Sequence, residues 1–218
     1  MSEGILGSSA TSGAATPLPI PPSVSTEKRL SPGQWGMICF LTSDVPVFAT
    51  LIVAYLVFYG RDSEPGGMGG PTPLDSLSLP LAIGMTFCLL ASSVTVHMAD
   101  RAIRFGRPGF VGLWTATIAL GIAFLLGTAH EWNGLINHLH LTISRNLFGS
   151  TFYTLVGFHA LHVTVGVIIM LLVLVLALRG AMKEKSHVTV ELVSWYWHFV
   201  DGVWIVVFSV VYLMPHLG

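Results

Sequence analysis

Hydrophobic residues along this chain fall into five long runs, which are separated by short stretches rich in Gly, Pro or charge. Each run reaches the roughly 20 residues that a helix needs to cross about 30 Å of hydrocarbon. Inside a bilayer each backbone N–H and C=O must be satisfied within the segment, so isolated runs of this length favour helices. The pattern predicts an all-α, polytopic transmembrane helix bundle with five spans, at about 35–59, 78–99, 110–132, 150–178 and 192–214.

The start of the chain has a different composition, rich in Ser, Gly, Ala, Thr and Pro. Such a stretch has too little apolar surface to fold into a core. We therefore expect residues 1–30 to form a disordered tail and residues 31–218 to form the five-helix transmembrane domain.

The overall composition supports a membrane protein, because 53% of the residues are hydrophobic and 10% are charged, against about 25% charged in a soluble domain. The net charge of −1 offers no basic surface for nucleic acid. Cys39 and Cys88 both lie in apolar runs, where they are typical of small hydrophobic residues.

The positions of the cations predict the orientation. Eight of the ten Lys and Arg residues fall on one side of the five spans: Lys28, Arg29, Arg101, Arg104, Arg107, Arg179, Lys183 and Lys185. The other side carries Arg61 and Arg145. Because cytoplasmic loops are enriched in Lys and Arg, we expect a cytoplasmic N-terminus and a C-terminus outside.

The last span carries a polar stripe. Glu191, Ser194, His198 and Asp201 are separated by 3, 4 and 3 residues, which places them along one face of a helix. A charge near the bilayer centre costs at least roughly 2.5–3.5 kcal/mol, so such groups tend to face protein and to be functional. The stripe is expected to meet polar partners inside a protein assembly.

Two other spans also carry ionisable groups at mid-depth. Asp44 lies two residues before Pro46 in the first span, and it can either hydrogen-bond a neighbouring helix or exchange a proton or contact a lipid headgroup. In the fourth span, His159 and His162 share one face, and hydrogen bonds to facing groups are favoured over metal or haem ligation. A single buried network of Asp44, His159, His162, Glu191, His198 and Asp201 is a hypothesis.

Glu131 lies near the outer end of the third span. The sequence leaves two alternatives for this residue: a solvated carboxylate at the membrane interface, or a group with a role inside the bundle. The sequence shows no nucleophile–base pair, phosphate-binding loop or metal signature, so we predict no catalytic, cofactor-binding or metal site in the chain itself.

Three strings resemble subunit III of the haem–copper terminal oxidases, the cytochrome c and quinol oxidase subunit 3 family. They are Phe148-Gly-Ser-Thr-Phe152, Gly157-Phe-His159-Ala-Leu-His162-Val163 and Trp195-Tyr-Trp-His198-Phe-Val-Asp201-Gly-Val-Trp204. The likeness extends over about residues 30–214. It resembles the five-span bacterial form, which lacks the first two helices of the seven-span members.

This resemblance implies a cofactor-free accessory subunit. Haem and copper would belong to the partner catalytic subunit I, which reduces oxygen to water during aerobic respiration. The accessory subunit would stabilise it, support proton uptake and hold phospholipid, and Asp44 would occupy the position at which many members carry a carbodiimide-reactive Glu. Other oxidase subunits, membrane lipids and a respiratory supercomplex are further partners implied.

The expected location is the bacterial inner membrane, as a multi-pass protein in the electron transport chain. The resemblance leaves both cytochrome c and quinol open as electron donors. The alternative function is a small proton or solute transporter that uses the buried Asp and His residues. Transporters often carry internal repeats and broken helix pairs, and this sequence shows neither.

Overall fold

The computed structural model describes residues 30–180 and 186–217. All the regular structure in these residues is helical. The α-helices are α1 (Pro32–Phe58), α2 (Pro73–Ser76), α3 (Leu79–Arg104), α4 (Phe110–Leu139), α5 (Leu147–Leu178) and α6 (Ser186–Phe208). A π-helix, Ser209–Leu213, and a 3-10 turn, Met214–His216, continue α6, and a further 3-10 turn, Arg61–Ser63, follows α1.

Five of these helices are long and apolar enough to cross a membrane, which confirms the predicted fold class. The tail predicted over residues 1–30 lies outside the described residues except for Leu30. A short turn at residues 105–109 joins α3 to α4, whereas a longer connection at residues 59–78, which contains α2, joins α1 to α3; both contain the Gly and Pro residues expected between apolar runs.

The helices extend beyond the predicted apolar spans. The largest difference is in α4, which continues to Leu139, although the stretch after Trp132 reads as a polar connection. Within this extension the side-chain amide of Asn137 donates to that of Asn133, one helical turn away. A polar sequence therefore continues the helix past the apolar run.

Helix α6 packs against α1, α3 and α5, helix α5 packs against α1, α4 and α6, and α4 packs between α3 and α5. Trp197 of α6 is fully buried. Its ring fills a space in which a Cβ on Gly121 of α4 would approach to 2.9 Å and one on Gly166 of α5 to 2.8 Å. The two glycines therefore let three helices meet around one indole.

Helix α1 is the least embedded of the five, and its buried residues are Phe48 and Tyr55. Most of its other large side chains are exposed on the bundle surface, including Trp35, Phe40, Val45, Val53 and Val57. This outer face is mostly apolar, and the hydroxyls of its exposed Ser43 and Thr50 donate to carbonyls of α1 itself, so lipid or another membrane helix can cover it.

The loop after α1 is attached to the start of α5. Asp62 accepts hydrogen bonds from the backbone N–H groups of Leu147 (3.2 Å) and Phe148 (2.9 Å). The side chain of Asn146 accepts from Gly149 N–H at 2.8 Å. These contacts satisfy N–H groups that have no partner within a helix, and they fix one end of α1 to α5.

Candidate functional site

The first candidate site joins α1 to α5 within the membrane span. The Nε2 atom of His162 lies 3.5 Å from Oδ2 of Asp44, and both side chains are largely buried. Phe48 covers the pair, with its ring centroid 5.1 Å from that of His162. At 3.5 Å the contact is electrostatic and longer than a good hydrogen bond. It is the only ion pair within the described residues that couples α1 to another helix.

The hydrogen bond of the other His162 nitrogen limits the protonation states that are open to this pair. Nδ1 lies 2.8 Å from the carbonyl oxygen of Phe158. A carbonyl only accepts, so Nδ1 must carry a hydrogen and Nε2 must present either a lone pair or a second proton to Asp44. The pair can therefore hold one proton, on the carboxyl or on the ring, without acquiring a net charge.

His159 lies one turn away, fully buried, against the rings of Phe124 and Trp204 at centroid distances of 5.7 and 5.0 Å. Neither ring nitrogen has a hydrogen-bond partner among the described residues. This differs from the expected hydrogen bonds to facing groups. The sequence spacing places the two histidines on one face, but the aromatic neighbours of His159 cannot be read from its own helix.

The second candidate site is the seam between α3 and α6, defined by Ser93, His97, His198 and Asp201. The Ser93 hydroxyl is 2.7 Å from Nδ1 of His198, and the ring of His97 lies 6.4 Å from that of His198. His97 is exposed on the bundle surface although it belongs to a membrane-spanning helix.

Asp201 occupies the deeper end of this α3–α6 seam and is 4% exposed. Its carboxyl lies near the Ser93 hydroxyl, yet neither oxygen has a well-formed hydrogen bond to the described residues. A buried polar atom without a partner costs about 1–3 kcal/mol. A proton, a water molecule or a polar group of another molecule would therefore give the Asp201 carboxyl the hydrogen bond that it lacks.

The stripe on α6 continues to the end of the span that carries the arginines. Arg104 lies 3.0 Å from Asp100 on its own helix and 3.5 Å from Glu191 on α6. This group crosses the same α3–α6 interface as the seam. The sequence identifies Glu191, His198 and Asp201, but their partners on α3 lie about a hundred residues away and carry no pattern that marks them.

The six residues of the predicted network thus fall into separate groups. Asp44 pairs with His162, Glu191 pairs with Arg104, and His198 and Asp201 lie around Ser93. No hydrogen bond or ion pair between described residues joins the Asp44 pair to the α3–α6 seam. Residues predicted to lie at the same depth in the membrane need not be in contact, because the side chains of each helix point in directions that depend on how that helix is rotated.

Glu131 occupies a third site, within the bundle. Its side chain is 6% exposed, and Oε2 accepts a 2.6 Å hydrogen bond from the hydroxyl of Tyr212. Of the two alternatives given by the sequence, the structure agrees with a carboxyl inside the bundle and differs from a solvated carboxylate at the membrane interface. Tyr212 belongs to the π-helix after α6, and no pattern in the sequence marks it.

These sites consist of single or paired ionisable groups. No cluster of three or more His, Cys, Asp or Glu side chains within residues 30–180 and 186–217 is arranged to hold a metal ion. Hydrogen-bonded carboxyl, imidazole and phenol groups can hold and pass protons. The fold and these sites together define a multi-pass membrane protein with ionisable groups buried between its helices.

Comparisons with known proteins identify the family. The family model for cytochrome c oxidase subunit III matches residues 26–215. A cytochrome c oxidase subunit 3 of Synechocystis sp. is 39% identical over 184 residues, covering 83% of this chain and 75% of that protein. A probable cytochrome c oxidase subunit 3 of Mycobacterium bovis is 36% identical over 180 residues, covering 82% and 86% of the two chains.

A third relative, the cytochrome c oxidase subunit 3 of Corynebacterium diphtheriae, is 33% identical over 195 residues, which are 89% of this chain and 94% of that protein. The chain belongs to the cytochrome c oxidase subunit III family. This confirms the resemblance carried by the sequence motifs, and it supports the accessory oxidase subunit over the transporter alternative.

Proposed function

We propose that this chain packs against catalytic subunit I of a respiratory haem–copper oxidase, stabilises it and supports its proton uptake. The observation that carries the proposal is the family match over residues 26–215, which extends across all five spans. In this function oxygen is reduced at haem and copper in the partner subunit. This chain supplies packing surface and buried proton-holding groups.

The proton-uptake role rests on the Asp44–His162 pair. Because His162 Nδ1 donates to a backbone carbonyl, its Nε2 can accept a proton from Asp44 or share one with it. Opposite charges formed inside the pair would attract each other at 3.5 Å in a medium of low polarity. Such a pair can pass its proton between the two side chains while staying neutral overall, and uptake or release of a further proton changes its net charge by one.

The packing role rests on the α3–α6 seam. An imidazole facing hydrocarbon is costly because its nitrogens lose their hydrogen bonds, and His97 is exposed in a spanning helix. A polar side chain of a neighbouring subunit would satisfy it. We therefore assign the α3–α6 seam to the interface with catalytic subunit I. Subunit I would in turn connect this chain to the other oxidase subunits of a supercomplex.

The outer face of α1 suits a different neighbour. Most of its exposed side chains are apolar, and the exposed Trp35 lies near the helix end where indole rings favour the membrane interface. We assign this face to phospholipid. Native mass spectrometry of the purified complex should retain phospholipid, and Val45→Trp together with Val53→Trp should displace it. Unchanged lipid in this double variant would contradict the assignment.

The cation distribution supports a cytoplasmic N-terminus and a C-terminus outside, in a bacterial inner membrane. Single cysteines placed in a background without Cys39 and Cys88 test it. Met68→Cys, in an exposed loop between α1 and α3, should react with a membrane-impermeant maleimide in intact cells. Pro108→Cys, exposed between α3 and α4, should react only after lysis. The reverse labelling would invert the orientation.

Copurification tests the function itself. A tagged chain extracted in mild detergent should bring down a haem-containing complex that reduces oxygen, and oxidation of added cytochrome c or quinol identifies the donor. A complex assembled without this chain should retain its initial rate of oxygen reduction and lose activity faster during turnover. Purification of the chain without an oxidase, together with substrate transport in vesicles, would favour the transporter.

A further inference from the structure

The basic turn, residues 101–109, comprises the end of α3 and its connection to α4, and it carries three arginines around an exposed aromatic ring. Arg101 and Arg104 lie in the last turn of α3, and Arg107 follows that helix. Phe105 lies between them and is 63% exposed. Because Phe105 directly follows a membrane-spanning helix, its ring lies close to the boundary between hydrocarbon and lipid headgroups.

One of the three arginines already has partners inside the chain. Arg104 lies 3.0 Å from Asp100 and 3.5 Å from Glu191. No acidic side chain among the described residues forms an ion pair with Arg101 or Arg107, and both arginines are exposed. The basic turn therefore presents two positive charges that the described part of the chain does not neutralise.

Helix capping does not account for the two unpaired arginines. Cations near a helix C-terminus can bond its last carbonyls, but here backbone N–H groups do so. The N–H of Gly106 donates to the carbonyl of Ile103 at 3.3 Å, and that of Arg107 donates to the carbonyl of Ala102 at 2.8 Å. Gly106 adopts the left-handed conformation that this arrangement requires, with φ of 60°. The backbone fixes the turn, and the guanidinium groups stay available to another anion.

The aromatic ring adds an apolar element to this charged surface. The guanidinium of Arg107 lies over the ring of Phe105, 6.0 Å from its centroid, so charge and apolar surface are adjacent. An excess of cations on one side of the membrane explains arginines in any loop on that side. It does not explain an exposed phenylalanine beside them, which favours a partner that is both anionic and apolar.

We propose that the basic turn binds an anionic phospholipid, with Arg101 and Arg107 contacting the headgroup phosphate and Phe105 packing against the upper part of the acyl chains. Guanidinium groups bind phosphate through paired hydrogen bonds, and cationic segments beside a span attract anionic lipids. The inference rests on the orientation proposed above only for the leaflet in which this lipid lies.

This site differs from the face of α1 in what it selects. That face offers mostly apolar side chains to the acyl chains of any phospholipid, whereas the basic turn selects by headgroup charge. A zwitterionic lipid brings an ammonium group towards Arg101 and Arg107 and loses part of the attraction. An acidic segment of a neighbouring subunit would match the arginines, but it would leave the ring of Phe105 without an apolar partner.

Native mass spectrometry of the assembled complex, titrated with phosphatidylglycerol or phosphatidylcholine in mixed micelles, tests the proposal. This subunit, released from the complex in the gas phase, should carry phosphatidylglycerol in preference to phosphatidylcholine. Arg101→Gln and Arg107→Gln should each weaken phosphatidylglycerol binding about fivefold and change phosphatidylcholine little. Phe105→Ser should weaken both lipids. The matched control is Arg179→Gln, which removes an exposed cation at the end of α5 on the same side of the membrane and should bind as the wild type does.

Three results would overturn the proposal. The first is equal binding of the two lipids by the wild type, and the second is an equal loss of phosphatidylglycerol in Arg179→Gln. The third is loss of a neighbouring subunit from the Arg101→Gln and Arg107→Gln complexes with lipid binding unchanged, which would assign the basic turn to an acidic protein segment. Copurification with an oxygen-reducing complex is measured separately, so the lipid site can fail while the oxidase assignment stands.

Discussion

The surroundings of Asp44 and Glu131 show how two buried carboxyls in one bundle can be adapted to different tasks. Asp44 faces an imidazole, which can either accept or give a proton. Glu131 accepts from a phenol, which stays neutral over most of the pH range. The Asp44 pair can therefore separate charge internally, whereas the Glu131 site can only exchange its proton with a distant source.

The two sites also differ in what encloses them. Asp44 lies on α1, whose outer face is exposed and mostly apolar, so its surroundings depend on the lipid or subunit that covers α1. Glu131 lies on α4 between two other helices, and its enclosure is largely supplied by the chain itself. A lipid-soluble reagent should therefore reach Asp44 more readily than Glu131.

Removal of His162 should have the largest effect. His162→Leu leaves Asp44 buried without its partner, and breaking a buried ion pair in this way costs about 3–5 kcal/mol when the remaining group is ionised. We expect the variant subunit to be lost from the complex at a lower temperature than the wild type. Leu161→Val, at the neighbouring exposed position, is the control. Equal thermal retention of the two variants would show that the pair contributes no stability.

Substitution of Asp201 should have the next largest effect. Its carboxyl has no well-formed hydrogen bond within the described residues, so we expect it to find a partner in the assembled complex. Asp201→Leu is expected to weaken association with the catalytic subunit by about 1–3 kcal/mol, since the polar group that pairs with this carboxyl in the assembled complex would be left without its partner. Copurification after a detergent challenge measures it. Val206→Leu, on an exposed part of α6, is the control. Wild-type recovery of Asp201→Leu would remove this residue from the interface.

Tyr212→Phe should have a smaller effect on stability. It deletes the hydroxyl that donates to Glu131, and a single hydrogen bond contributes about 0.5–1.5 kcal/mol net. Glu131 can compensate by keeping a proton or binding water. Thermal retention in the complex should therefore fall less than for His162→Leu. A greater loss for Tyr212→Phe would reverse the ranking of the two carboxyl sites.

The sequence predicts the fold well because each span is specified locally. A run of apolar residues determines that a helix crosses the membrane, whatever the other helices do. The motifs around His162 and His198 also identify the family. Contacts between helices are not specified by local sequence. Ser93, the partner of His198, and Tyr212, the partner of Glu131, are ordinary residues in apolar runs. The sequence leaves the solvation of Glu131 open, because the burial of this residue depends on the position of a π-helix about eighty residues later.

Asp44→Asn should have the smallest immediate effect, and it tests the contrast with Glu131 most directly. Asparagine keeps nearly the same volume and can still contact His162, so assembly and the initial rate of oxygen reduction should remain close to wild type. The pair loses its ability to exchange a proton, so any loss should develop during turnover, as a lower proton yield or faster inactivation. Initial oxygen consumption, proton yield and activity decay in reconstituted complex measure this.

An apolar carbodiimide provides the matching chemical test. Because such reagents attack protonated carboxyls from the lipid phase, modification should map to Asp44 on the open helix α1 and disappear in Asp44→Asn. Glu131, enclosed between helices, should react little in either protein. Preferential modification of Glu131 would show that the surroundings of Glu131, rather than the face of α1, are open to lipid. Immediate loss of oxygen reduction in a fully assembled, haem-loaded Asp44→Asn complex would instead make Asp44 part of the catalytic machinery.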